Sequence, residues 1–166
     1  MGLLNEEVSS MIGQRRVYTA PEPFGAAAFR YFAVAVGDAN PLYVDAEIAR
    51  KHGLGSVTAP PTLVCETGQY TNLPMDKDGY AGHSWAIDIP GTRQVRGGNT
   101  YTFHRRIRPD DVITASWSIE GAEEKTTRSG QEMLIIASRA VYTNQTGEVL
   151  AENDETIIFV SLERAA

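Results

Sequence analysis

The 166-residue sequence predicts one α+β domain spanning residues 1–166, with helices first and an antiparallel sheet after them. Three observations predict it. Apolar residues recur at helical spacing up to Leu73 and at alternating, strand-like spacing after residue 84. Turn clusters at residues 108–111, 129–130 and 144–147 cut the second half into hairpin-sized pieces. Helical segments followed by a run of strands is the α+β order, and this length can bury a core without covalent staples.

Taken in order, Leu3, Leu4, Val8, Met11 and Ile12 form a partial helical stripe over residues 3–12 that stops at Gly13. Residues 16–20 read as a brief extended piece and 20–23 as a turn. Residues 24–36 are alanine-rich and almost uniformly apolar, with Phe29, Phe32 and Val36 at i, i+3 and i+7. Such a helix is expected to be buried on most sides. Residues 37–41 are a turn cluster. Residues 45–52 form a second helix, with Asp45 as N-cap and Gly53 as C-cap. Residues 58–61 are rigid and extended, and 62–73 follow as a helix started by prolines and stopped before Pro74. Residues 79–98 are the least readable region. Strands are expected at 99–107, with Tyr101, Phe103 and Ile107 on one side, and at 112–119, with Ile113, Ala115, Trp117 and Ile119 on one face. Two more lie at 132–143 and 148–160. Consecutive hairpins make one sheet, which needs an apolar cover; residues 62–73 are expected to be the helix it wraps.

Composition narrows the function classes. A net charge of −6 and a pI of about 5.1 make the chain a poor non-specific ligand for nucleic acid or anionic membrane. The single Cys65 excludes an intramolecular disulfide framework. The N-terminus places acid before base without a long apolar run, so no signal peptide is read, and Glu6 stands where myristoylation wants Ser or Thr. No stretch approaches the ~20 apolar residues of a membrane span. The cytoplasm is the expected compartment.

The segment GDANPLYVDAEIARKHGLGSVTAPPTL, residues 37–63, resembles the signature region of the MaoC-like hydratases and dehydratases. That family shows Asp, then Asn-Pro, then His, then Asp in this spacing. The stretch VRGGNTYTFHRRIRPDDVITASWSI resembles the family's strand–turn–strand, with Pro109-Asp110-Asp111 where Pro-Gly-Asp is usual. NQTGEVLAENDETIIF resembles its terminal hairpin. The resemblance covers residues 25–160, and Pro-Pro-Thr at 60–62 is similar to the N-terminal-type, FAS1-like dehydratase domains. It implies a hot-dog fold, an antiparallel sheet wrapped around a central helix, that pairs into a double hot-dog dimer.

The chemistry explains the spacing. Dehydrating a 3-hydroxyacyl thioester removes the proton alpha to the carbonyl and expels hydroxide from C3. Histidine suits that proton transfer because its ordinary pKa is about 6.5. The enolate-like thioester oxygen needs donors, which a helix N-terminus can supply. By position, the resemblance makes Asp38 the catalytic aspartate and Asn40 and Pro41 the shaping turn, while Tyr43 takes the histidine position. An ordinary phenol, with a pKa of about 10, is a poor proton shuttle at neutral pH. Pro60 and Pro61 have no N–H, so an oxyanion donor has to come from Thr62, Leu63 or beyond. Asn40, Pro41, Tyr43, Pro61, Thr62, Leu63, Gly97 and Gly98 are the expected substrate-binding set.

Other residues have plainer readings. Cys65 is expected in the core, with no activating base nearby in sequence. His52, His83 and His104 are scattered without metal-ligand spacing, so no metal is expected. His52 reads as a helix C-terminal residue and His83 as a minor alternative base. Gly97-Gly98 is no phosphate loop and reads as a bulge or a close backbone approach. Arg93, Arg96, Arg105, Arg106 and Arg108 are either a solvated strand face or a phosphate contact. Residues 144–146 match a glycosylation sequon in form only.

The leading expectation is a subunit of a 3-hydroxyacyl-thioester dehydratase or enoyl-CoA hydratase that binds and scaffolds substrate. Its partners are an acyl-CoA or acyl-carrier-protein thioester and either a second copy or a histidine-bearing MaoC-like subunit, with no cofactor. The alternatives are a self-sufficient homodimeric hydratase or thioesterase using Asp38, and a non-catalytic acyl-CoA-binding protein.

Overall fold

The computed structural model describes residues 2–65, 73–77 and 79–162. Three short helices, α1 (Glu6–Met11), α2 (Gly25–Val36) and α3 (Ala46–Lys51), lie in the first third of the chain. Strand β1 (Arg15–Thr19) separates the first two, and β2 (Thr92–Phe103), β3 (Thr114–Thr126), β4 (Glu132–Thr143) and β5 (Val149–Ser161) follow. One antiparallel sheet runs in the order β1-β3-β4-β5-β2. The predicted hairpins make its middle, and β1 and β2 form its edges.

Local chemistry sets the helix ends. The Asn5 side chain accepts the Val8 amide at 2.9 Å, and Glu6 and Glu7 in the first turn suit the positive end of α1. α1 buries Val8 and leans Met11 on the second apolar cluster, the preceding Leu3 and Leu4 pack beside it, and Ile12 stays exposed. Asp45 caps α3 by accepting from the Glu47 and Ile48 amides at 2.8 and 3.0 Å. His52, not Gly53, is the C-cap; Gly53 follows it at φ +79°, where a side chain would be strained. For α2 the expectation of burial on most sides is corrected. Phe29 and Ala33 are buried, but Tyr31, Val34 and Val36 are exposed. Apolar composition all round does not give burial when only one face meets the sheet.

The predicted helix at 62–73 begins as a 3-10 stretch at residues 61–65, and most of the remainder lies outside the described residues. Cys65 is exposed rather than in the core, and its thiol donates to the Tyr101 hydroxyl at 3.0 Å. Among the described residues no helix is long and apolar enough to cross a membrane.

Strand β2 starts earlier than predicted and ends at Phe103, not residue 107. The His104 and Arg105 amides both donate to the Leu150 carbonyl, at 2.9 and 3.2 Å, which closes the ladder. Phe103 is exposed although Ile107 is buried. The β2–β5 register slips between Arg96 and Gly98, so the Gly-Gly pair is a bulge. A Cβ at Gly97 would sit 2.6 Å from Thr156 Cγ2 and 2.9 Å from its Cβ. Gly97→Ala is therefore expected to cost about 1–3 kcal/mol through overpacking, read as a lowered melting temperature.

The sheet's core face carries two apolar clusters. Ile113, Ala115, Ala140, Tyr142 and Ala151 meet Phe29, Leu63 and Val64 in one. Ile119, Leu134, Ile136 and Phe159 meet Val8, Trp85 and Ile89 in the other. Burial of Ile113, Ala115 and Ile119, with Trp117 half-buried, bears out the predicted inward face of residues 112–119, although β3 itself begins at Thr114 and runs on to Thr126.

Candidate functional site

The turn after α2 is built by its own side chains. Gly37 ends the helix in the left-handed region at φ +72°, and the Asp38 amide returns to the Ala33 carbonyl at 2.8 Å. Asp38 Oδ1 accepts the Asn40 amide at 3.0 Å, and Asn40 Oδ1 accepts the Leu42 amide at 3.1 Å. These linked turns start the 3-10 element Pro41–Tyr43. Asp38 is exposed and Tyr43 is 5% exposed. The Thr58 amide donates to the Leu42 carbonyl at 3.1 Å and the Ala59 amide to the Ile107 carbonyl at 3.0 Å. The first bond ties the Asn40–Tyr43 turn to the irregular segment that leads into Pro61, Thr62 and Leu63, and the second ties that segment to residue 107. The Leu63 amide is taken by the Pro60 carbonyl at 3.0 Å, and its side chain is buried in the core. Gly97 and Gly98 sit instead in the edge strand opposite Thr156. Neither glycine lines the two clefts beside the 53–63 loop or the cleft on the core face.

None of the three histidines hydrogen-bonds Asp38 or Tyr43. His52 Nδ1 meets the Ile48 carbonyl at 2.9 Å, His83 Nδ1 meets the Tyr18 hydroxyl at 3.1 Å, and His104 Nε2 meets Glu152 at 3.2 Å. Among the described residues no group of His, Cys, Asp and Glu could hold a metal ion.

Two adjoining clefts lie beside the 53–63 loop. One, of about 240 Å³, has apolar walls from Ala59, Pro61, Phe103, Ile107 and Leu150. The other, of about 300 Å³, is lined by Ser56, Thr58, His104, Arg106 and Arg108. The clefts share His104, Arg105 and Arg106. Four of the five arginines separate here. Arg105 is locked by Asp111 and Glu148, and Arg96 pairs with Glu155 at 3.3 Å. Arg106 and Arg108 are exposed, and no carboxylate pairs with them among the described residues. The Thr58 hydroxyl is buried without a hydrogen-bond partner.

A third cleft, of about 360 Å³, lies on the core face between the apolar clusters and includes Cys65, His83, Tyr101, Trp117, Asn153 and Glu155. It was not legible in residues 79–98, the least readable stretch of the sequence. A signal existed in β5, where Asn153 and Glu155 fall on the same alternation as the buried Ala151, Ile157 and Phe159. His83 stacks on Trp117 at 4.3 Å and meets Trp85 edge-on at 4.8 Å. Burial and the nearby Arg16 charge push its pKa down to about 4. The unfolded chain thus binds a proton between pH ~6.5 and 4 that the folded chain resists. Stability from neutral His83 is present above pH ~6.5 and is lost as pH falls toward 4. Thermal melts over that window should fall less steeply for His83→Phe than for wild type. Parallel curves would show that His83 does not titrate this way.

Residues 10–153 match the model of the FAS1-like, dehydratase domain region. A UPF0336 protein of Streptomyces coelicolor is 32% identical over 139 residues, covering 84% of this chain and 85% of its own. A probable enoyl-CoA hydratase alpha subunit of Thermomonospora curvata is 31% identical over 137 residues, which is 78% of this chain and 43% of that protein. The structure of the ChsH1-ChsH2 complex from Mycobacterium tuberculosis is similar at a TM-score of 0.69 with 23% identity, covering 91% of this chain and 85% of that one.

Proposed function

This chain belongs to the FAS1-like dehydratase domain family, a MaoC-like hot-dog family, and from that premise we propose that it is the substrate-binding, scaffolding subunit of a hydro-lyase acting on 3-hydroxyacyl or enoyl thioesters. The observation that carries the reading is Tyr43. It stands five residues after Asp38, where the family pattern places histidine, and it is buried, with no histidine bonded to it or to Asp38. The Leu63 amide, a candidate oxyanion donor, is already used. A chain with the turn and the carboxylate but no imidazole needs one from elsewhere.

A histidine-bearing hot-dog subunit meets that need. The relative named as an alpha subunit and the similar chain in a two-protein complex support such an arrangement. The open edge of β2 and the exposed Tyr31, Val34 and Val36 on α2 offer surface for it. The apolar cleft beside Arg106 and Arg108 suits an acyl thioester whose carrier bears phosphate. Affinity capture of the tagged chain from its native host, with mass spectrometry of what is retained, is the test. Recovery of a MaoC-like chain with histidine at the position of Tyr43 is expected; a chain that elutes alone or as a homodimer sinks the proposal.

A further inference from the structure

The third cleft has chemistry that a plain hydrocarbon chain does not call for. Across the core face, register places Trp117, Ala140, Asn153 and Tyr101 in one row. Ile119, Ser138, Glu155 and Asn99 form the next. A polar band therefore crosses the sheet between two apolar clusters, where burial normally selects aliphatic side chains. Much of it is satisfied internally. The Trp85 indole donates to Ser138 at 3.0 Å, the Asn153 amide donates to Asn99 at 3.1 Å, and Arg96 pairs with Glu155. Two atoms remain. Asn153 is 1% exposed and its Oδ1 has no hydrogen-bond partner, and His83 Nε2 is likewise buried and unpartnered. Both residues line the cleft.

We propose that this cleft binds an uncharged ring carrying a hydroxyl group. A buried orphan polar atom is costly, and a ligand that satisfies it recovers that cost. Asn153 Oδ1 needs a donor. With the Tyr18 hydroxyl donating to His83 Nδ1, Nε2 carries the proton and needs an acceptor. A hydroxyl is both a donor and an acceptor, so one group type answers both. The walls favour a ring, because Tyr101, Trp117 and Tyr142 present aromatic surface. They favour a neutral ligand, because Arg96 and Glu155 already pair, and burial keeps His83 uncharged at neutral pH and pushes the Tyr101 and Tyr142 hydroxyls away from ionising. On the function proposed above, which this identification of the ligand's origin rests on, the ring is the far end of the acyl chain.

Calorimetric titration of the full chain with 2-naphthol and with 2-methoxynaphthalene tests the site, since the ether keeps the rings and loses the donor. Wild type should bind the naphthol about tenfold more tightly than the ether, the worth of one recovered hydrogen bond. Asn153→Ala should erase that difference, and His83→Phe, which keeps a stacked ring, should weaken both probes alike, because the ether oxygen still accepts from Nε2. Equal binding of the two probes, no binding of either, unchanged discrimination in folded Asn153→Ala, or unchanged affinity of both probes for folded His83→Phe overturns the proposal. This measurement needs neither partner nor turnover, so a failed hydro-lyase assay leaves it standing. Displacement of 2-naphthol by 4-coumaroyl-CoA supports the acyl-tail origin. Retention of the naphthol overturns that origin and leaves a site for a free ring alcohol.

Discussion

The purified chain alone is expected to hydrate crotonyl-CoA at least about a hundredfold more slowly than the same chain reconstituted with a histidine-bearing hot-dog partner. The magnitude comes from general acid–base catalysis, which contributes roughly 10²–10⁴-fold when a positioned imidazole moves the proton. Asp38 is exposed and held by the Asn40 amide, so a carboxylate is present, but none of the three histidines bonds to it. Tyr43 is buried. The measurement is the initial rate of enoyl-CoA absorbance loss for the chain, the partner and the mixture. A normal enzymatic rate from the chain alone, abolished by Asp38→Asn, would instead establish the self-sufficient enzyme. Tight binding of acyl-CoA without turnover in any mixture would establish the non-catalytic binder.

The largest expected stability loss follows Asp111→Ala. This carboxylate is 3% exposed and sits where two turns meet. It accepts Arg105 Nη1 and Nη2 at 3.0 and 2.7 Å, the Arg108 amide at 2.7 Å and the Asn144 side chain at 3.3 Å. Arg105 also holds Glu148 at 2.7 Å, so the β2–β3 and β4–β5 connections are locked together. Removing one member of a buried, hydrogen-bonded ion pair costs about 3–5 kcal/mol because the other charge is left without it. For a domain of this size that is a melting-temperature drop of roughly 6–20 °C. Burial pushes the Asp111 carboxyl up, but the Arg105 hydrogen bonds, the Arg108 amide and the Arg105 charge outweigh it and hold it below the ordinary range. A depressed folded pKa means stability present above the unfolded value of about 3.9 and lost as pH falls through the folded one. Asp111→Asn should therefore flatten the acid limb of the melting curve and cost less than Asp111→Ala at neutral pH. A loss under 1 kcal/mol for Asp111→Ala, about the ceiling for a surface pair, would show the network is ornamental.

That network also explains a motif that sequence spacing had only matched. The Pro109-Asp110-Asp111 turn reads as a family feature, yet its reason is partly tertiary, because Asn144 and Glu148 reach Asp111 and Arg105 from the β4–β5 connection. The sequon-like Asn144 has a similar explanation. It is 7% exposed, and its side chain accepts from the Thr146 and Glu148 amides while donating to Asp111.

The sequence by itself determined the elements whose cause is local. Asp45 caps α3, Gly37 ends α2, Asp38 and Asn40 fold the turn, and β3 and β4 alternate to the core because neighbouring side chains point to opposite faces. These interactions span a few residues, so they are written in order along the chain. Which face of α2 stays open, which arginines are already paired, and that Asn153 and Glu155 turn inward beside His83 were decided by the tertiary structure alone. Those outcomes depend on what another segment places opposite, tens of residues away. Burial and charge pairing are properties of two surfaces in contact, and a sequence read in one direction shows only one of them.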